Sequence, residues 1–213
     1  MAASEEVEAY ASAAGQAYLG RIDDTFVQHA LRLVQRREAG RALDIGTGPG
    51  QIVLKLARFL PGWHITGVDR SHSMIQQARA SVPRGLQVSF FVANGTRLPF
   101  VDAGFELVMC NSVLHHLSEP HLLFTEVARL VKPKGAILVR DLRRPSRLAY
   151  PLHVRWYGRH YSGLMYKLYR NSVRAAYTAS ELEAMLLASP LVARARIFRY
   201  QRTHLGIERP ARM

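Results

Sequence analysis

The residues whose types and spacing could do chemistry cluster at a few points of the 213-residue chain. Foremost is Leu43-Asp44-Ile45-Gly46-Thr47-Gly48-Pro49-Gly50-Gln51, set between a short β-rich run and a helical pattern. Glycines there permit positive φ and let a ligand approach the backbone with no Cβ in the way. At the carboxyl end of a strand, with a helix starting behind it, such a turn makes a nucleotide-sized cleft. A dinucleotide fingerprint would require glycine at 46, 48 and 51, but position 51 is Gln. Pro49 also removes a backbone donor that a pyrophosphate would use. Asp44 puts an acid at the cleft, where it suits a cationic ligand group or holds the turn itself. Asp69 ends the run His64-Ile-Thr-Gly-Val-Asp69. There a carboxylate can accept from two adjacent ribose hydroxyls or cap the next helix.

His115 and His116 form a polar pair further on. Adjacent residues do not share a helix or strand face, and no Cys or carboxylate stands nearby at ligand spacing, so no metal is expected. His115 alone is a candidate general base, with a packing role as its alternative. Asp141, with Arg143 and Arg144 just beyond, either shapes a substrate mouth or pairs with one of those arginines.

The elements that must position these groups alternate. Arg41–Ile45, His64–Asp69, Leu86–Ala93, Phe105–Cys110 and Ala136–Asp141 read as strands, and helical patterns separate most of them. Ser71 is placed to cap one helix, and another runs from about Glu119 to Val131, ended by Pro133 and Gly135. Near-continuous apolar strands between helices imply a buried parallel sheet, so the fold class is α/β. Thr178-Ala-Ser-Glu181 has the pattern of a capping box, and 194–200 with 203–207 are spaced for an antiparallel hairpin. The expected organisation is one domain over 1–213. It comprises a helical extension (1–39), a ligand-binding core (40–142), an aromatic and basic insertion (143–177), and a final helix and hairpin (178–213).

Asp44-Ile-Gly-Thr-Gly-Pro-Gly50 resembles the first motif of class I S-adenosylmethionine-dependent methyltransferases. Gly67-Val-Asp69-Arg70-Ser71 is similar to that family's acidic strand end, and Met74 matches the apolar position against the adenine. Leu98-Pro99-Phe100, Asp102 and the run Phe105–Leu117 resemble the ubiquinone/menaquinone-biosynthesis-like branch, and Val131-Lys-Pro-Lys-Gly135 fits the same pattern. The resemblance spans roughly residues 40–142 and, more loosely, 177–209. It implies a Rossmann-like sheet of seven strands, mostly parallel with the last antiparallel. It also implies S-adenosyl-L-methionine as cofactor, held by Asp44, Gly46, Thr47, Gly48, Gly50, Asp69, Arg70, Met74, Asn94, Gly95 and Asn111, with His115 as the catalytic candidate. The chain departs from the family in having Asn94 where an Asp is common after the third strand; an amide can still pair with adenine.

The acceptor is expected to be a small molecule, aromatic or quinone-like. Base amino-methylation in this superfamily carries an Asn/Asp-Pro-Pro-aromatic run, and Asn111-Ser-Val-Leu has no proline. Cytosine C5 methylation needs a Cys nucleophile, commonly after Pro; Cys110 follows Met109 in an apolar strand and reads as a buried small hydrophobe. Charge pulls the other way. Residues 1–128 are near neutral, with 11 basic and 12 acidic side chains, whereas 129–213 hold 18 basic and 4 acidic, a net +14. RNA methylation by this basic part is therefore the rival, and a non-catalytic cofactor-binding partner protein is the third reading. The aromatic segment 146–177 is a substrate wall, a stacking surface for nucleic acid or an amphipathic membrane-facing patch. No apolar run approaches the ~20 residues that span a bilayer. The acidic N-terminus and single cysteine suggest a cytoplasmic protein.

Overall fold

Apolar runs of five to seven residues without solvent-facing alternation are stable only with both faces covered. The computed structural model, which describes residues 17–34 and 38–212, covers them in that way. The strands are β1 (Gly40–Ile45), β2 (Trp63–Asp69), β3 (Val88–Val92), β4 (Phe105–Asn111), β5 (Val131–Leu142), β6 (Arg196–Tyr200) and β7 (His204–Arg209). They form one sheet in the order 3-2-1-4-5-7-6. Strands β1 to β5 pair in parallel, and β7 runs antiparallel to both its neighbours, which is the expected single reversal.

Alternate residues of each central strand serve opposite layers. Ala42, Leu107, Met109 and Leu138 face the layer made with α1 (Ala17–Val34), α2 (Gln51–Phe59) and α3 (His72–Ala80). Leu43, Val108, Cys110 and Ile137 face α4 (Pro120–Leu130) and α7 (Ala179–Leu187). The apolar stripe Phe26, Ala30, Leu33 and Val34 of α1 is buried; residues 1–16 and 35–37 of the expected helical extension lie outside the described residues.

Between β5 and α7 the chain forms α5 (Tyr150–Gly158) and α6 (Gly163–Ala175). They share a small core of Val154, Tyr169 and Val173, flanked by Leu142, Tyr157 and Tyr166. Gly158 makes their crossing possible, since a Cβ there would stand 2.7 Å from Tyr166 Cε2.

Two long-range ties complete the fold. His29 on α1 meets Glu208 on β7 at 2.5 Å, and the Ala211 N–H donates to the Leu33 carbonyl at 2.8 Å. The loop after β3 is held by Arg129 on α4, whose guanidinium donates to the carbonyls of Leu98 and Phe100 and to Asp102 and Glu126. The Leu98-Pro-Phe segment is thus pinned against α4.

Ser71 caps α3, accepting from the Met74 N–H at 3.4 Å. The capping box at α7 is complete: the Glu181 carboxylate accepts from the Thr178 N–H at 2.8 Å, and the Glu181 N–H donates to Thr178 Oγ1 at 3.3 Å. Thr178→Ala removes one of the two bonds. It is expected to cost about 1 kcal/mol and to lower Tm by about 2–4 °C in a chain of this size, measured by calorimetry.

Candidate active site

Strand order reverses beside β1: the chain passes outward through β2 and β3, then returns to place β4 on the other flank. Ligand clefts open at the carboxyl ends of the strands at such a point. Here the glycine turn leaves β1. Its first two amides donate to the Val68 carbonyl of β2, Gly46 N at 2.8 Å and Thr47 N at 2.9 Å. Gly46, Gly48 and Gly50 all have positive φ (75°, 54° and 82°). Gly46 is also sterically required, because a Cβ would stand 2.2 Å from Val113. At Gly48 the same position meets no atom within 4 Å, so the turn presents bare backbone to an open space.

Asp44 lies under this turn, 1% exposed. Neither Asp44 Oδ1 nor Thr47 Oγ1 completes a hydrogen bond. Burial pushes the Asp44 carboxyl up to about 7; the nearby Thr47 hydroxyl offsets part of the rise, and Asp69 and Asp23 add to it. A buried acid with one oxygen lacking a hydrogen-bond partner, at the floor of a cleft, suits a cationic ligand group. Asp69, at the end of β2, receives the Gly48 N–H on Oδ2 (2.9 Å) and the Ser71 N–H on Oδ1 (2.8 Å). Each oxygen thus spends one acceptor site on the turn and keeps another for a ligand hydroxyl.

A cavity of about 260 Å³ adjoins the turn. Gly46, Thr47, Gly48, Met74, Asn111 and His115 line it, so six of the residues singled out in the sequence come together there. Asp44 sits beneath it, and Gly50 caps α2 against Phe90 and Ala78. Asp69, Arg70, Asn94 and Gly95 stand outside its lining, on the β2 and β3 side. Asn94 Oδ1 is engaged with the Thr96 N–H at 3.2 Å and the Thr96 hydroxyl at 3.0 Å. Tyr161, Met165 and Tyr169 of the aromatic segment also line the cavity.

The Asp141 carboxylate belongs to His115, not to the arginines that follow it. Asp141 Oδ1 lies 2.6 Å from His115 Nδ1, and Oδ2 accepts the His115 N–H at 3.0 Å. Both side chains are 2% exposed, and His115 Nε2 has no protein partner. Arg144 pairs with Glu181 instead. His115 and His116 share a 3₁₀ turn (Leu114–His116), which brings the two rings within 4.0 Å although adjacent residues were expected to diverge. Burial and the neighbouring His115 lower His116 to about 4, and burial lowers His204 to about 3, so both line the cavity as neutral imidazoles. Among the described residues no group of His, Cys, Asp or Glu is arranged to hold a metal.

Two groups, Arg140 and Asp23, escaped the sequence reading, and Ser112, noted there only as following the fourth strand, has an unusual backbone. Arg140 is 1% exposed within β5; it donates to Asn111 Oδ1 (2.9 Å), Thr25 Oγ1 (2.9 Å) and the Ile22 carbonyl (3.1 Å), and faces the Phe26 ring at 4.7 Å. Asp23 on α1 lines the cavity, and burial raises it to about 6 against the pull of Lys55 and Arg140. Its signal was an acid among Leu19, Ile22 and Phe26. Ser112 takes a left-handed φ of 59° at the end of β4, a strained position typical of functional sites.

Residues 43–139 match the family model described as a methyltransferase domain. Over this span the chain is similar to that family, and the solved structures that share its fold include a methyltransferase dependent on S-adenosyl-L-methionine. The bare backbone at Gly48, the buried Asp44 with its unsatisfied Oδ1 and the free acceptor sites of Asp69 fit that cofactor. The chain is 32% identical over 123 residues to a ubiquinone/menaquinone biosynthesis C-methyltransferase of Desulfotalea psychrophila, covering 57% of this chain and 49% of that protein. It is 28% identical over 173 residues to a demethylmenaquinone methyltransferase of Thermus thermophilus, covering 76% and 79%. The first relatives matched are spanned over about half their length. The plantazolicin methyltransferase in complex with a triazolic desmethylPZN analog and SAH shares the fold, with a TM-score of 0.76 at 14% identity over 98% of this chain and 92% of that one.

The buried acid makes a signed prediction for the ligand-free protein. Asp44 has a folded-state value of about 7, well above its ordinary value of 3.8. Its neutral form favours folding below about pH 4, and this contribution is lost as pH rises through 7. Asp44→Asn removes the ionising group and is expected to raise the apoprotein's Tm relative to wild type at pH 8. The gain is on the order of a few kcal/mol and should shrink towards pH 5. Melts across that range check both sign and window.

Proposed function

We propose that this chain transfers a methyl group from S-adenosyl-L-methionine to a hydroxyl of a small, uncharged, aromatic or quinone-like molecule, with His115 as general base. The carrying observation is the Asp141–His115 pair, whose outer nitrogen is buried and unpartnered at the cavity. The cavity's lining supports the acceptor class. It contains Tyr161, Met165, Tyr169 and Leu142 and neither Lys nor Arg, so it offers apolar and aromatic walls and nothing to neutralise a phosphate. That composition favours a neutral small molecule over RNA, although the outer surface is basic. Relatives named for ubiquinone and menaquinone biosynthesis support the same class.

When bound, the cofactor supplies a methyl group already activated on a sulfonium. What is left to the protein is to align donor and acceptor, exclude water and take a proton. Asp141 holds the proton on His115 Nδ1 and so leaves the Nε2 lone pair to accept the acceptor's hydroxyl proton. The Asp141 carboxylate then stabilises the imidazolium that forms. In this reading Asp44, Gly46, Thr47, Gly48, Met74 and Asn111 hold the cofactor, with Asp69 on the ribose hydroxyls, Asn94 and Gly95 beside the adenine, Arg70 at the rim and Gly50 shaping the turn. The neutral His116 keeps positive charge away from the base.

Tritiated methyl transfer from labelled cofactor into a cell extract, followed by fractionation, tests the acceptor class. Label is expected in the small-molecule or lipid fraction, and label mainly in RNA would refute the reading. Asp69→Ala is expected to weaken cofactor binding by roughly 1.5–3 kcal/mol, the scale of hydrogen bonds to a charged group, read by calorimetry. With the purified acceptor, His115→Asn and Asp141→Asn should each lower kcat by roughly 10²–10⁴-fold while cofactor affinity is kept. If Asp141→Asn retains kcat and the wild-type pH profile, the pair is structural only.

A further inference from the structure

We propose that α5 and the turn before it form an interfacial docking surface for an anionic lipid bilayer. Leu148, Leu152 and Trp156 recur every four residues and are 93%, 72% and 61% exposed. That spacing puts them along one side of the helix. Arg155 and Arg159 share that side and are exposed, and the Arg159 guanidinium stands 4.3 Å from the centre of the Trp156 ring. The inner side of α5, with Val154 and Gly158, is buried against α6. Apolar side chains facing water on an otherwise anchored helix, rimmed by guanidinium groups, are the pattern of a helix lying in a membrane interface.

Charge and side-chain type decide the occupant. From residue 143 to residue 177 the chain carries eight Arg and Lys and not one acid. An ordinary solvated surface interleaves both signs; this one is complementary to an anionic partner only. Nucleic acid would use Trp156 as a stacking platform but would leave Leu148 and Leu152 in water. A bilayer takes up all three in its acyl boundary and the arginines among its phosphates. No helix among the described residues is long and apolar enough to cross a membrane, so the contact is one of surface docking. The helix that α5 covers, α6, presents Met165 and Tyr169 to the cavity, so docking sets the roof of the cavity on the lipid. The inference stands whether or not His115 is the base.

The test needs no acceptor. The full chain is mixed with vesicles of phosphatidylcholine alone, or of phosphatidylcholine with phosphatidylglycerol, and sedimented. Binding is expected to the anionic vesicles and to weaken with salt. Trp63 is 1% exposed in the core, so a blue shift of emission on binding reports Trp156, and W156F should abolish it. The triple variant L148S/L152S/W156S should keep the wild-type melt and lower vesicle affinity at least about a hundredfold, from three apolar side chains no longer buried. R155Q and R159Q should each lower it roughly fivefold, which gives a second reading should the triple variant not fold. Unchanged binding by the triple variant, an unmoved Trp156 emission, tighter binding to single-stranded RNA than to the vesicles, or a dimer that the triple variant dissolves would each overturn the proposal.

Discussion

The cleft depends on how a fully buried guanidinium is satisfied. Arg140 interrupts the apolar run of β5 just where the strands end, and its charge must be met locally or the strand does not fold. It is met by Asn111 from β4, by Thr25 and the Ile22 carbonyl from α1, and by the face of Phe26. Burial still lowers it to about 10, with Asp23 and Asp141 as the acids that oppose the shift. The same contacts fix the orientation of Asn111 and hold α1 across the mouth, so that Leu19, Ile22 and Asp23 line the cavity.

Polar groups at the strand ends form a graded set around that cation. Asp44 is fully buried and pushed up to about 7 by that burial, Asp141 is tied to an imidazole, and Asp69 is tied to backbone amides. Three carboxylates at three strand ends thus occupy three electrostatic settings, set by depth and by neighbours rather than by residue type. Only the first has a buried oxygen, Oδ1, with no hydrogen-bond partner, and it lies beneath the glycine turn. The charge of the chain is divided by depth as well: cations crowd the outside of α5 and α6, whereas none lines the cavity they enclose.

What the sequence disclosed follows from which interactions are local. The glycine turn, Asp44, Asp69, the Ser71 cap and the Thr178–Glu181 box are each made within a few residues of one strand or helix end, so spacing alone reveals them. The sheet was legible for the same reason: five apolar runs of strand length have few other ways to be buried. His115 and Asp141 are 26 residues apart and meet because β4 and β5 pair in parallel, with Asn111 opposite Arg140. Asp141 was read against Arg143 and Arg144 since sequence proximity was the only geometry available. Arg140 was hidden because an arginine at a strand end ordinarily reaches water. Asn94 shows the opposite limit, for its type was noted but its bond to Thr96 depends on the turn the loop adopts.

The tie between α1 and β7 bears on how the protein is made. His29 finds Glu208 across 179 positions, and the Leu33 carbonyl receives the Ala211 N–H, which follows β7. A ribosome releases α1 long before β7 exists, so during synthesis the helix that covers the cleft has no partner for its buried histidine. The glycine turn and strands β1 to β5 can assemble first, as neighbours in sequence. The α1 side of the cleft is tied down only when β7 slots in between β5 and β6. Such late, long-range closure makes for slow folding, and it means that translation itself delays the moment at which the cleft can shut.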